Sequence, residues 1–230
     1  MEKLNLIEKP KPLNRIAYEA LRESILRGRL KSGELYNEMK LAAELGISRT
    51  PVREALLELS AKGLIAFIPR KGVKVSSFTK EDVNQVWEVR MALELFAIDK
   101  LKAKAANLDL EPLKECIAIQ KAAIEELDYS TYLNADRGFH SQLCELFGNR
   151  RLQTALEEIR DLIDLMALDA LNLEGRMEAV LKEHQKTLAA LERGNFSAAV
   201  SALEEHLIAS QTAVIESTNL RAQPESKGAA

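Results

Sequence analysis

Apolar residues recur with helical spacing along almost the whole chain. Over 14–28 the stripe is Ile16, Ala17, Ala20, Leu21, Ser24 and Ile25, and Gly28 stops it. A short helix is predicted over 38–45 with Leu41, Ala42 and Leu45 inward, followed by a tight turn at Gly46. A third helix opens at Ser48, a good N-cap residue, tolerates Pro51 in its first turn, and runs to Ala61 before Gly63 ends it. The period then changes. Residues 64–67 and 73–75 alternate around Pro69-Arg70-Lys71-Gly72, which predicts a strand pair with a basic tip.

From Thr79 the helical period returns, with helices predicted over 80–106, 110–127, 129–147, 150–170, 173–193 and 196–217. The breaks fall at Asn107-Leu108-Asp109, Asp128, Gly148-Asn149, Asn172 and Gly194-Asn195. Thr79 and Asp82 resemble a capping box, with Asp replacing the usual Glu or Gln. No fixed-period repeat is present, so the succession of amphipathic helices predicts a bundle. The expected fold is mainly α: an N-terminal winged helix-turn-helix plus a C-terminal antiparallel all-helical bundle. The expected division is a flexible leader 1–10, a winged-helix domain 11–77, a helical domain 78–217 and a disordered tail 218–230.

Composition sharpens this division. Hydrophobic residues make up 47% of 230, enough for real cores, and the low aromatic share of 5% favours helix over sheet. The net charge of −3 is unevenly spread. Residues 11–77 hold 13 Lys+Arg against 7 Asp+Glu, whereas 78–230 hold 17 against 26. A basic front on an acidic body suits a protein that touches phosphate with one end. Cys116 and Cys144 give no disulfide framework and indicate a reducing compartment. The first residues, MEKLNLIEKPKP, lack the apolar region of a signal peptide, and no run of 18 apolar residues predicts a membrane span. A cytoplasmic protein is expected.

The helix-turn-helix carries the first candidate chemistry. Arg49 and Arg53 lie four apart at the start of the third helix, where a helix-turn-helix protein presents side chains to the major groove and where bidentate contacts read guanine. Thr50 and the amides near Ser48 are placed to anchor a phosphate, and Arg70 and Lys71 to reach the backbone or the minor groove, with Gly72 permitting the tight turn. The bland alternative is an ordinary helical hairpin with solvated charges. The stretch LAAELGISRTPVREAL, 41–56, resembles the signature of the GntR family of bacterial winged-helix repressors and activators, with looser similarity over 14–75. The resemblance implies base contacts by Arg49 and Arg53 and a wing built on Arg70 and Gly72. One departure is Met39, which stands where many members carry an arginine after the Glu of the second helix. A contact made there by relatives does not carry over.

The chain's three histidines, His140, His184 and His206, fall on the apolar stripes of three helical segments. Asp136 lies one turn before His140 on the same face, in D-R-G-F-H. Singly, each reads as a satisfied core residue; together, three inward imidazoles and a carboxylate make a candidate metal site. Cys144, one turn after His140, reads as a core residue or a soft extra ligand. Arg137 reads as a solvated charge, and Glu183 and Glu205 point off the ligand face of their own helices.

Residues 80–217 resemble the FCD effector domain of FadR-type GntR regulators. In metal-binding members an Asp-x3-His pair and two later histidines hold the ion, which matches Asp136, His140, His184 and His206. V-R-M-A-L-E at 89–94 offers Arg90 as the arginine that would meet an acid's carboxylate, against a surface pair with Glu94. Three neutral imidazoles and one carboxylate suit one divalent transition metal per chain, Zn first, with Ni, Mn or Fe fitting the same set. The expectation is a homodimeric regulator, a repressor rather than an enzyme, binding a near-palindromic double-stranded DNA operator and responding to a small carboxylate effector. The alternatives are a metal that is structural or is itself the signal, and a metalloenzyme fused to a DNA-binding head.

Overall fold

A computed structural model describes residues 11–222. The leader expected over 1–10 and the last part of the expected tail, 223–230, lie outside the described residues. The chain divides between Ser77 and Phe78 into two compact units.

The first unit runs α1 (Leu13–Leu26), β1 (Leu35–Tyr36), α2 (Glu38–Glu44), α3 (Arg49–Ala61), β2 (Ile65–Ile68) and β3 (Gly72–Val75). Its core follows the sequence stripes: Tyr18, Leu21 and Ile25 of α1 are buried with Leu41, Val52, Leu56 and Leu59. Asn37 caps α2 by accepting from the amides of Met39 and Lys40, and Gly46 takes a left-handed φ of 67° in the turn to α3. The sheet is antiparallel with strand order β1-β3-β2, Phe67 opposite Val73 and Leu35 opposite Lys74. Two-residue β1 carries no alternation, so the sequence pattern gave no sign of it.

The second unit holds α4 (Lys80–Lys100), α5 (Glu111–Glu126), α6 (Tyr129–Phe147), α7 (Arg150–Ala167), α8 (Arg176–Glu192) and α9 (Phe196–Ala222). Helix α4 opens on the full Thr79–Asp82 capping box. Asp128 and Asn149 accept from the first amides of α6 and α7, and Gly148 ends α6 in the left-handed region. Several expected bounds change: the helix expected over 150–170 ends at Ala167, a 3₁₀ segment follows over Ala170–Asn172, and the helix expected from 173 begins at Arg176. The helix expected over 80–106 ends at Lys100, and a 3₁₀ segment follows over Leu101–Asn107. That segment seats Leu101 in the core and brings Lys104 Nζ 2.7 Å from the Phe147 carbonyl at the end of α6. The tail expected from 218 is helical up to Ala222. One core cluster of this unit joins Ile98, Leu113, Phe139, Leu143, Leu188, Leu203 and Leu207, so α4, α5, α6, α8 and α9 share one interior. Trp87 is fully buried and donates from Nε1 to the Leu207 carbonyl at 3.1 Å.

Candidate functional site

In the first unit, α3 presents Ser48, Arg49, Thr50 and Arg53 to solvent. Ser48 occupies the N-cap position, but its side chain makes no cap hydrogen bond, which differs from the capping role its residue type predicts. Arg49, Arg53, Arg70, Lys71 and Gly72 line one cleft of about 480 Å³ between α3 and the β2–β3 wing. Glu38, at the start of α2, accepts from both arginines, at 3.4 Å from Arg49 and 3.2 Å from Arg53. Gly72 has φ 120°, and a Cβ there would stand 2.2 Å from the Tyr36 carbonyl oxygen. Close approach of β1 therefore requires glycine as much as the turn does.

In the second unit the three histidines meet. His140 comes from α6, His184 from α8 and His206 from α9, each buried, and their ligand atoms form one compact group. His206 Nε2 lies 3.2 Å from His140 Nε2 and 3.4 Å from His184 Nε2. Asp136 adjoins this trio, with Oδ1 3.8 Å from His184 Nε2. Cys144 is buried one turn from His140 and is not part of the group; burial pushes its thiol up to about 12, as for an ordinary core cysteine.

The outer ring nitrogens are all engaged. His140 Nδ1 donates to Glu94 Oε2 at 2.5 Å, His184 Nδ1 to Gln120 Oε1 at 2.9 Å and His206 Nδ1 to Glu183 Oε2 at 2.7 Å. Gln120 is oriented by its own amide, whose Nε2 donates to Asp136 Oδ1 at 3.4 Å. Each acceptor fixes the proton on Nδ1, so each Nε2 turns a lone pair toward the shared centre. Phe139 stacks on the His184 ring with centroids 4.0 Å apart. Burial lowers the His140 imidazole to about 4 and lowers that of His184 well below its ordinary value, so both rings are neutral at physiological pH. Burial alone would raise the Glu94 carboxyl; the His140 ring and the Arg90 and Arg160 guanidiniums outweigh it and keep it ionised.

Sequence reasoning missed Glu94, Gln120 and Glu183 as partners of the histidines. Glu183 does point off the ligand face of its own helix, but it reaches the histidine of the next one. Glu205, in contrast, pairs with Lys186 at the surface. Arg90 is not a surface residue: it is 3% exposed, donates from Nε to Glu94 Oε1 at 2.9 Å, and leaves Nη2 without a partner. It lines a cavity of about 40 Å³ together with Asp136, Arg176, His206 and Ser210. Arg137 is not a solvated charge either; it ties α6 to α7 by donating to Glu157, Asp161 and Asp164 at 2.7–2.9 Å. Arg160 of α7 is fully buried 4.0 Å from Glu94 Oε1, with no hydrogen-bond partner for Nε, Nη1 or Nη2.

A winged helix-turn-helix followed by a helical unit with a polar, histidine-lined interior defines a class of bacterial regulator, and comparison with known families agrees. The description "Bacterial regulatory proteins, gntR family" matches residues 13–75, and "FCD domain" matches residues 85–209. The chain belongs to the GntR family of transcriptional regulators and carries an FCD domain. It is 30% identical over 204 residues to the HTH-type transcriptional regulator YdhC of Bacillus subtilis, covering 88% of this chain and 89% of that one. It is 29% identical over 158 residues to the gluconate operon transcriptional repressor of the same organism, covering 67% and 63%. Its fold matches the crystal structure of a GntR transcriptional regulator from Rhodococcus sp. RHA1 with TM-score 0.78 and 26% identity, covering 89% of this chain and 97% of that one. Among the described residues no helix is long and apolar enough to cross a membrane.

Proposed function

We propose that the chain is a cytoplasmic, homodimeric repressor whose affinity for a near-palindromic operator is set by a small organic or sugar acid bound at a metal centre. The observation that carries this reading is the convergence of three Nε2 lone pairs, 3.2 Å and 3.4 Å apart around His206, with every Nδ1 already donating. Three lone pairs facing one another in a buried space repel, and a cation relieves that repulsion. The donor set fits a divalent transition metal. His140, His184 and His206 would hold it, with Asp136 as the fourth ligand, and Zn leads over Ni, Mn and Fe. The ion would supply a positive point to which an acid's carboxylate can bind, and Arg90 adds the unpaired Nη2 donor beside it.

The cavity at Arg90 holds about 40 Å³, space for about three waters. A multi-carbon acid therefore binds a widened form of the bundle in preference to this one, and such differential affinity is what allows a ligand to shift a regulator between states. A relative named for the gluconate operon favours a sugar acid. In the DNA-binding unit, Arg49 and Arg53 would read bases, Ser48 and Thr50 would seat a phosphate at the start of α3, and Arg70 and Lys71 would reach from the wing, with Gly72 shaping its tip.

Elemental analysis of the untagged protein and of a His184→Ala variant tests the centre. About one transition metal per chain, lost in the variant, supports the reading; no uptake after reloading with Zn²⁺ or Ni²⁺ overturns it. A second reading, a purely structural ion, draws on the complete burial of His140 and His184. Under it, chelation unfolds the helical unit and no acid alters operator binding.

A further inference from the structure

Glu38 is the one acid among the residues lining the cleft between α3 and the wing, where Arg49, Arg53, Arg70 and Lys71 supply four cations. Its side chain is 12% exposed, whereas the two arginines that cover it are 57% and 52% exposed. Oε2 accepts from Arg49 Nη2 at 3.4 Å and from Arg53 Nη1 at 3.2 Å, and Oε1 accepts from the same Arg53 nitrogen at 3.5 Å. The Arg53 guanidinium also lies over the Phe67 ring, 6.0 Å from its centroid. Tight charge-assisted bonds run to about 2.7–2.9 Å, so these are loose, and exposed pairs of this kind contribute little to folding. What the carboxylate does change is the charge and direction of the two side chains that face DNA.

A guanidinium has five donors. An arginine that places two of them on the O6 and N7 of guanine can keep a third on Glu38. An arginine that swings out to a phosphate must leave Glu38, uncovering a carboxylate inside a basic cleft. The geometry points to Glu38 as the positioning residue that makes DNA recognition selective: it keeps Arg49 and Arg53 aimed at base edges and opposes their use as general phosphate binders. This inference rests on α3 being the helix that reads DNA. Sequence-independent affinity follows the cations available to displace counterions, so one carboxylate in the cleft weakens binding to every duplex. At the preferred bases that loss is offset by the orientation it imposes.

The test uses the full-length protein. Wild type selects from a pool of short duplexes with randomised centres. The most enriched duplex and a shuffled duplex of the same composition are then titrated by fluorescence anisotropy across a salt series. Glu38→Gln is expected to bind the shuffled duplex about fivefold more tightly, with a log–log salt slope steeper by about 0.9, and to gain nothing on the enriched one. Selectivity thus falls about fivefold. Glu38→Ala is read the same way, and Glu38→Asp, which keeps the charge, restores most of the selectivity. Unchanged selectivity and slope in both neutral variants, or an equal gain on both duplexes, overturns the inference. The double variant Arg49→Ala, Arg53→Ala separates the two levels of the argument. If it keeps the wild-type preference, α3 does not read DNA and the underlying reading falls. If it loses the preference while Glu38→Gln keeps it, only the role of Glu38 falls.

Discussion

Glu183 accepts from His206 Nδ1 at 2.7 Å, although Glu183 is the chain neighbour of a different histidine, His184. One turn of α8 thus contributes a ring to the centre from one residue and fixes the ring of α9 with the residue before it. Arg176 holds the same carboxylate from the other side, donating to Oε1 at 2.8 Å and to Oε2 at 3.2 Å. Burial raises the Glu183 carboxyl, but the His206 and Arg176 hydrogen bonds outweigh it and keep the group ionised. Glu183→Gln keeps the shape and loses the charge that orients His206. Metal affinity is expected to fall about 10–100-fold, read by competition with a chromophoric chelator. Wild-type affinity in the variant would show that His206 is oriented by something else.

Arg160→Met should be neutral or stabilising. The guanidinium is fully buried with three unpartnered nitrogens, while Glu94 retains Arg90 and the His140 ring. The guanidinium's nearest carboxylate, Glu94 Oε1, stands 4.0 Å away, beyond hydrogen-bond distance, and replacing so loosely paired a buried cation with an apolar chain of similar length commonly raises stability by about 1–4 kcal/mol. Chemical denaturation reads the change. A loss beyond about 3 kcal/mol would mean that the guanidinium is satisfied, by water or by an anion.

Gly72→Ala should disrupt the wing. The new Cβ meets the Tyr36 carbonyl oxygen at 2.2 Å, so β1 or the turn must move, at a cost of about 3 kcal/mol or more. Gly33→Ala is the control: φ is 81°, nothing lies within 4 Å of the added atom, and only the backbone penalty of about 1–2 kcal/mol remains. Equal costs at the two positions would contradict the close approach.

The capping box at the start of α4 predicts a pH dependence of known sign. Thr79 donates to Asp82 Oδ2 from both Oγ1 and its backbone nitrogen, at 2.7 Å each, and these bonds lower the Asp82 carboxyl below its ordinary value. A carboxylate with a depressed folded pKa contributes stability that is present above about pH 4 and lost as pH falls through the folded value. Asp82→Asn should therefore melt below wild type at neutral pH and converge with it in acid. Thr79→Ala should cost about 1 kcal/mol. Melting curves that stay parallel down to low pH would refute the sign.

What the sequence made legible, and what it hid, follow from the range of the interactions. Helix starts at Asp128 and Asn149 and the stop at Gly148 are local chemistry and could be read directly. The three histidines were legible because each sits on its own helix's apolar stripe, a property of one segment at a time. Glu94, Gln120 and Glu183 were not, because their role depends on how neighbouring helices are staggered, which no single stripe encodes. Arg137 was misread, and the surface alternative for Arg90 fails, for the same reason: the direction a side chain takes from its own helix says nothing about the helix that covers it. β1 was invisible because two residues make no period, yet its backbone is what makes Gly72 indispensable.

The partners of the three imidazoles are spread over the whole bundle. Glu94 belongs to α4, Gln120 to α5, His140 to α6, Glu183 and His184 to α8 and His206 to α9, so the centre draws on five of the six helices of its unit. A change at that point is felt as a common boundary condition on all five rather than as a nudge passed from one to the next. In amide hydrogen exchange, loading the centre should slow those helices together, with α7, which supplies no imidazole and no acceptor of an imidazole Nδ1, following least.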